Sequence, residues 1–390
     1  MTRGKRKWLT WLVSGAAFVT VVGVAGCSNH SKTSSGTTTD PVASGETASS
    51  SGSDRFNFGS DGRSEAVPPK VNVFGEFEGV ERAAVRLPRG SGEAAGFQQH
   101  TFIDEGFDGE VCVDPKGQWL VFSSTRHSEH ADIYLQKVDG LSVTQLTSDD
   151  ADDAFPVFSP DGNRVAFCST RAGNWDIYVV DTDGKNMIQV TNSPMQELHP
   201  SFSPDGTRLV YCAMSRNGQW ELWTVNLTSG EKRTIGSGLF PTWSPNKSRD
   251  QIAFQKARAR GSRWFSLWTL DLVDGEARRV TEVAASSNAA IVSPSWSPDG
   301  KRLSFATVVE PAGNNGKTHG QQDIWTVNTD GTNRHRITDG NGICATPFWG
   351  SDNRIYFVSD RAGTESIWSA RAEQSGNIPT AAAETKELAH

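Results

Sequence analysis

The chain is poor in the residues that build metal centres, helical bundles and nucleic-acid clefts. Five of its 390 residues are cysteines, and none forms a Cys-x-x-Cys pair, which excludes a zinc ribbon and a thioredoxin-type redox site. Hydrophobic residues make up only 36% of it, against 38 Gly and 17 Pro, a balance that argues against helical bundles and for a turn-rich chain. There is no basic stripe: Lys and Arg total 38 and Asp and Glu 45, for a formal net charge of −7. An acidic chain of this kind is a poor binder of nucleic acid. A Gly-x-Ser-x-Gly nucleophile elbow is also missing, which removes the commonest serine-hydrolase signature. What remains is rich in Trp, Phe, Asp, Gly and Pro, the residues of strands and tight turns.

One long uncharged stretch, Trp8 to Gly26, follows a basic head that runs from Arg3 to Lys7. It ends in Val24-Ala25-Gly26-Cys27, and small residues ahead of a cleavage point suit a signal peptidase. A cysteine placed directly after them resembles the bacterial lipobox. That resemblance implies a signal peptide over 1–26, and lipidation and membrane anchoring through Cys27. Ser28 follows where an Asp would redirect sorting in enterobacteria, so the outer membrane, facing the periplasm, is the expected site. Residues 27–68 are Ser, Thr, Gly and Asp with few large apolar groups. Such a segment cannot offset its chain entropy by burial and reads as a tether with a reach of about 35 Å. A short lead-in (69–98), a repeat domain (99–373) and a C-terminal tail (374–390) complete the division.

The repeat domain is announced by its turns. Asp114-Pro115-Lys116-Gly117, Ser159-Pro160-Asp161-Gly162, Ser203-Pro204-Asp205-Gly206, Ser244-Pro245-Asn246-Lys247 and Ser297-Pro298-Asp299-Gly300 align, with Gly350-Ser351-Asp352-Asn353 as a degraded sixth copy. Successive copies are 45, 44, 41, 53 and 53 residues apart, a period that belongs to propellers. Ahead of the turn stands an aromatic (Phe158, Phe202, Trp243, Trp296, Trp349; Val113 in the first copy). After it comes an alternating strand such as Arg164-Val165-Ala166-Phe167, then a strand opening on Ile177-Tyr178 or its equivalents, then a short fourth strand such as Thr144 to Thr147. Four strands per unit, apolar on both faces, must stack against neighbours. The expected fold is all-β: a six-bladed propeller of four-stranded antiparallel blades. Gln99-His100-Thr101-Phe102 stands ahead of the first turn as Thr144–Thr147 stands ahead of the second, and is expected to close the ring as an N-terminal latch in blade six.

These repeats resemble the propeller of the periplasmic TolB family, whose unit joins a Pro-x-Trp/Phe-Ser-Pro-Asp-Gly turn, a Ser-x-Arg-x-Gly turn, an Ile-Tyr strand and a Leu-Thr strand. The second copy carries that unit nearly whole from Pro156 to Thr191, with Ser169, Arg171, Gly173, Ile177 and Tyr178 in place. The resemblance implies a binding or scaffold protein of the envelope, without catalysis, docking another envelope protein such as a peptidoglycan-associated lipoprotein. The stretch from Ala66 to Phe97 is too short for the α/β domain that precedes the TolB propeller. Similar repeats occur in oligogalacturonide lyases, so the alternative is a metal-dependent, carbohydrate-active enzyme working in the channel. That family uses several His and a Gln around a metal. Here only His199 is expected near the channel, and no full set can be matched.

Repeated residues are expected to be structural. Arg126, Arg171, Arg216, Arg258 and Arg361 recur, as do the acids Asp132, Asp176, Glu221 and Asp323, which suggests within-blade pairs. Unrepeated residues are the better site candidates. Asp108, Asp153 and Glu197 occupy a column that holds Gly238, Ile291 and Cys344 in the other blades, and Asp149, Asp150 and Asp152 lie beside it. Together they would form an acidic half-rim of the channel, able to dock a basic partner or to hold Ca²⁺. A loop from Val309 to Gln322 and a basic turn with Lys256, Arg258, Arg260 and Arg263 are further docking candidates. A monomer is expected. Cys168 and Cys212 read as buried small side chains, and Cys112 and Cys344 as neighbours able to form a bridge at ring closure.

Overall fold

The computed structural model describes residues 93–94, 96–257, 265–309, 322–340 and 342–373. Cys27, the signal peptide, the tether, the tail, most of the Val309–Gln322 loop, and Arg258, Arg260 and Arg263 lie outside the described residues.

Every regular element among the described residues is a strand. Blade one comprises Asp108–Val113, Trp119–Ser124, Asp132–Lys137 and Val143–Gln145, paired in chain order. Blades two to five repeat the arrangement from the inner strands Asp153–Phe158, Glu197–Phe202, Leu239–Trp243 and Ala289–Trp296. The six inner strands touch in cyclic order, that of blade six (Cys344–Trp349) meeting that of blade one. This is the six-bladed antiparallel propeller that the repeats imply.

Each Ser-Pro-Asp-Gly turn is held by its own side chains. Ser203 Oγ donates to Asp205 Oδ1 (2.6 Å) and accepts the Arg208 N–H (2.9 Å), while Asp205 also accepts the Thr207 N–H (3.0 Å). Ser297, Asp299, Arg302 and Lys301 repeat the pattern. In blade one Asp114 takes the serine's place, and its carboxylate accepts the N–H groups of Lys116, Gln118 and Trp119. The closing residue is left-handed: Gly117, Gly162, Gly206 and Gly300 have φ between 67° and 74°, and Asn353 fills the place in blade six at 61°. Glycine and asparagine are the residues that reach this region cheaply.

The blades are stapled sideways by the same residues. Arg164, Arg208 and Arg302 open second strands and lie over Phe202, Trp243 and Trp349 of a neighbouring blade, 4.6 to 5.7 Å from the ring centroids. The N–H of each of three inner-strand aromatics, Phe158, Trp243 and Trp349, is accepted by a side chain of the preceding inner strand: Cys112 Sγ, Ser201 Oγ and Ser295 Oγ. The largest fully buried side chains include Trp368, Tyr134, Tyr211 and Tyr356, so the cores lie between the stacked sheets.

The latch closes the ring one register step from the expected one. Phe97–Gln99 pairs antiparallel with the third strand of blade six, Phe97 against Ala370 and Gln99 against Trp368. Thr101 Oγ1 accepts the Ile367 N–H (2.9 Å), as Thr147, Thr191 and Thr338 accept those of Ile133, Ile177 and Ile324. Thr101, and not Phe102, is therefore the counterpart of Thr147, and Phe102 is exposed. Glu93–Ala94 adds a fifth strand outside the latch. Cys112 and Cys344, which the sequence left able to form a bridge, are both free and buried, as are Cys168 and Cys212.

Candidate functional site

The acidic half-rim is not an open surface. Asp108, Asp153 and Glu197 are the first residues of their inner strands and are 0%, 0% and 3% exposed. Both carboxylate oxygens of Asp108 accept from Arg126 Nη2, at 2.8 and 2.9 Å. Asp153 is held by Arg171, which also reaches Asp149 at 3.0 Å. Asp152 accepts from the Ala131 N–H and faces His130 Nδ1 at 3.3 Å. Of the six acids, Asp149 and Asp150 are exposed. The correction has a physical reason: a carboxylate in an interior wall is ordinarily kept ionised only where a cation or donors compensate it, and Arg126 and Arg171 do so for Asp108 and Asp153. It also reassigns those arginines, whose partners are the inner-strand acids and not the third-strand acids Asp132 and Asp176. Arg361 follows suit with Cys344 Sγ (3.5 Å) and Asp339 (3.5 Å). Among the described residues no group of three or more His, Cys, Asp or Glu is placed to hold a metal ion.

The feature that faces the axis lies two residues further along each inner strand. Glu110, Phe155, His199, Phe240, Ser293 and Thr346 all have φ between 46° and 57°. Each sits in a bulge where the pairing of the inner with the second strand shifts register, as between Leu198 and Ser201. Six non-glycine residues in the left-handed region, one per blade, are a costly and repeated choice. Strain of that kind gathers at ligand sites, where the backbone must re-aim a side chain.

These six residues line a cavity of about 460 Å³. Its other lining residues run along the inner strands to the turns, so the mouth is ringed by Pro115, Pro160, Pro204, Pro245, Pro298 and Ser351. The ring divides by character. Phe155, His199 and Phe240 form an aromatic arc, with the His199 ring between the other two, tilted to both, at centroid distances of 4.1 and 3.7 Å. Ser293, Thr346 and Glu110 form a polar arc on the remaining blades. Burial drives the His199 pKa down to about 3, so its imidazole is neutral. Burial raises that of Glu110 to about 7, opposed by donation from the Ser123 hydroxyl and the Phe155 N–H. Thr346 Oγ1 is buried without a hydrogen-bond partner. Lys247, exposed at the mouth, is the basic residue of the lining.

Of this ring, the sequence pointed to His199 alone. The others leave one trace: a Pro follows five of the six, at 156, 200, 241, 294 and 347, with Val111 in blade one.

The family model described as the TolB beta propeller domain matches residues 104–267 and 241–387. The chain belongs to the TolB beta-propeller family. Solved structures similar to this chain include two TolB proteins and a lyase. The putative TolB of Agrobacterium tumefaciens is 20% identical, with 68% of this chain and 90% of that one covered and a TM-score of 0.50. TolB of Acinetobacter baumannii is 18% identical over 69% of this chain and 64% of its own, with a TM-score of 0.46. An oligogalacturonate lyase of Vibrio parahaemolyticus is 16% identical, with 72% and 94% covered and a TM-score of 0.49.

Proposed function

We propose that this TolB-like propeller is a lipid-anchored binding protein of the bacterial cell envelope. Cys27 carries the lipid in the outer membrane, and the propeller, on its tether, takes a segment of another envelope protein into the channel. A peptidoglycan-associated lipoprotein is the partner class. The observation that carries this reading is the cavity: a proline-ringed, aromatic-lined mouth leading to a floor of six residues fixed in left-handed backbone. An apolar recess with a few convergent polar groups suits an inserted side chain or chain end. The buried acids Asp108, Asp153 and Glu197 act as struts in the face opposite the mouth. The reading assigns no catalytic step and no cofactor, and the working unit is a monomer.

The test is photocrosslinking in intact cells from a reactive residue at position 247, at the mouth, with position 183, in an outer turn, as control. Capture of one envelope protein from 247 and not from 183, lost when Phe240 is replaced by Asp, is the expected result. If a correctly acylated chain captures nothing from 247, the channel is better screened against sugars and metals, as the lyase alternative requires. The N-terminal peptide of the same preparation reads the acylation of Cys27.

A further inference from the structure

Four of the seams between blades offer an internal comparison. At the seam from blade six to blade one, Asp108 is neutralised by Arg126. Between blades one and two, Asp132 lies beside Asp153, and Arg171 compensates Asp153. Between blades five and six, Asp323 is paired with Arg336 (2.8 Å) and faces a cysteine position, not a second acid. Between blades two and three, the Asp176 and Glu197 carboxyls lie within hydrogen-bonding reach of each other, and the arginine is missing.

The reason is a one-residue slip. In blades one, two and six the turn reads Ser-x-Arg (Ser124 to Arg126, Ser169 to Arg171, Ser359 to Arg361), and the serine hydroxyl accepts the arginine's own N–H and Nε–H. In blade three the corresponding residue is Ala213, and Ser215 stands where the arginine should be. The second strand runs on to Met214, and Arg216 is exposed. Asp176 and Glu197 are 0% and 3% exposed, and Asp176 Oδ2 and Glu197 Oε2 are both buried without a donor. Two fully buried carboxylates side by side, each with an oxygen lacking a donor, cannot both stay ionised.

We infer that Asp176 and Glu197 hold a single proton between them in the folded protein, so that a carboxyl–carboxylate hydrogen bond clamps blade two to blade three. The groups around the pair suit one net negative charge. The Thr191 hydroxyl lies against Glu197, the Ser193 N–H donates to Asp176 Oδ1 (3.3 Å), and the exposed Lys232 acts on both from blade three. Tyr178, Tyr211 and the Cys168 thiol face the pair as neutral groups, while Arg171 is committed to Asp149 and Asp153. The strand that begins at Glu197 places His199 in the channel two residues later. The proton therefore secures a strand that builds the channel floor, whatever occupies the channel.

The test is infrared difference spectroscopy of the full propeller against Glu197→Gln, with thermal melts of both at pH 5 and pH 8. Glutamine keeps the shape and donates to Asp176 at any pH. The expected results are a protonated-carboxyl carbonyl band at pH 7 in the wild type that Glu197→Gln lacks, and a melting-temperature advantage of the variant that is near zero at pH 5 and grows by pH 8. Asp176→Asn should reproduce both. Loss of no such band together with a pH-independent difference in melting would overturn the inference. So would a calcium-induced rise in wild-type melting temperature at pH 8 that Glu197→Gln lacks, since a cation would then do the proton's work.

Discussion

Glu110 shows how a single residue carries an energetic consequence. Its carboxyl ordinarily ionises near 4.5, and burial raises this to about 7. The folded protein thus binds more protons than the unfolded chain between those values, and stability falls as pH rises through that window. Glu110→Gln removes the term. Its melting temperature should match the wild type at pH 4.5 and exceed it at pH 8, by an amount on the order of 3 kcal/mol of stability. Equal pH profiles for the two proteins in calorimetry would refute this. Arg126 makes the reverse case. It is 11% exposed and its partner Asp108 is fully buried, so Arg126→Ala leaves a carboxylate stranded and should cost about 3 kcal/mol in urea unfolding. Adding Asp108→Asn to that variant should restore much of the loss, a coupling that a double-mutant cycle reads directly.

At the scale of the element, the turn decides the cost of a substitution. A side chain on Gly206 would meet Pro160 Cδ at 3.6 Å, ordinary contact, so Gly206→Ala pays only for its φ of 70°, about 1–2 kcal/mol. A side chain on Gly300 would meet Asn246 Cβ at 3.0 Å, and Gly300→Ala should be the more damaging of the two in denaturant melts. Much of this level is legible in the chain itself. The Pro columns spaced 41 to 53 residues apart mark the blades because every copy needs the same turn chemistry. The latch could be located but not registered, since Thr101 and Phe102 both suit an outer strand until the hydroxyl is seen to accept the Ile367 N–H. The acidic column was visible and its role was not. Sequence shows that Asp108 and Asp153 are acids, but not that Arg126 and Arg171 fold back onto them. The channel floor was almost silent, because Glu, Phe, His, Phe, Ser and Thr share no side-chain chemistry. They share a backbone conformation, and composition does not report φ.

For the whole molecule, the closing of the ring is the decisive step. His100 follows the latch strand and spans the seam: Nδ1 lies 3.1 Å from the Val138 carbonyl in blade one, and Nε2 2.8 Å from Ser369 Oγ in blade six. Phe97 adds an edge contact to Phe357 and lies under the Arg361 guanidinium, 3.9 Å away. A chain starting at residue 103 loses all of this and uncovers Trp368. Its Ile367 amide should exchange with solvent far faster than the Ile177 amide, while the two should be similarly protected in the intact protein, and hydrogen-exchange mass spectrometry resolves them by peptide. Closure also bears on how such a molecule can diversify. The left-handed bend at each of the six floor positions is already present with an acid, two phenylalanines, an imidazole and two hydroxyls, so the scaffold sets no rule about which group stands there. The floor is then a six-letter word that can be respelled while the page it is written on stays the same, and relatives with a common frame can come to recognise different things.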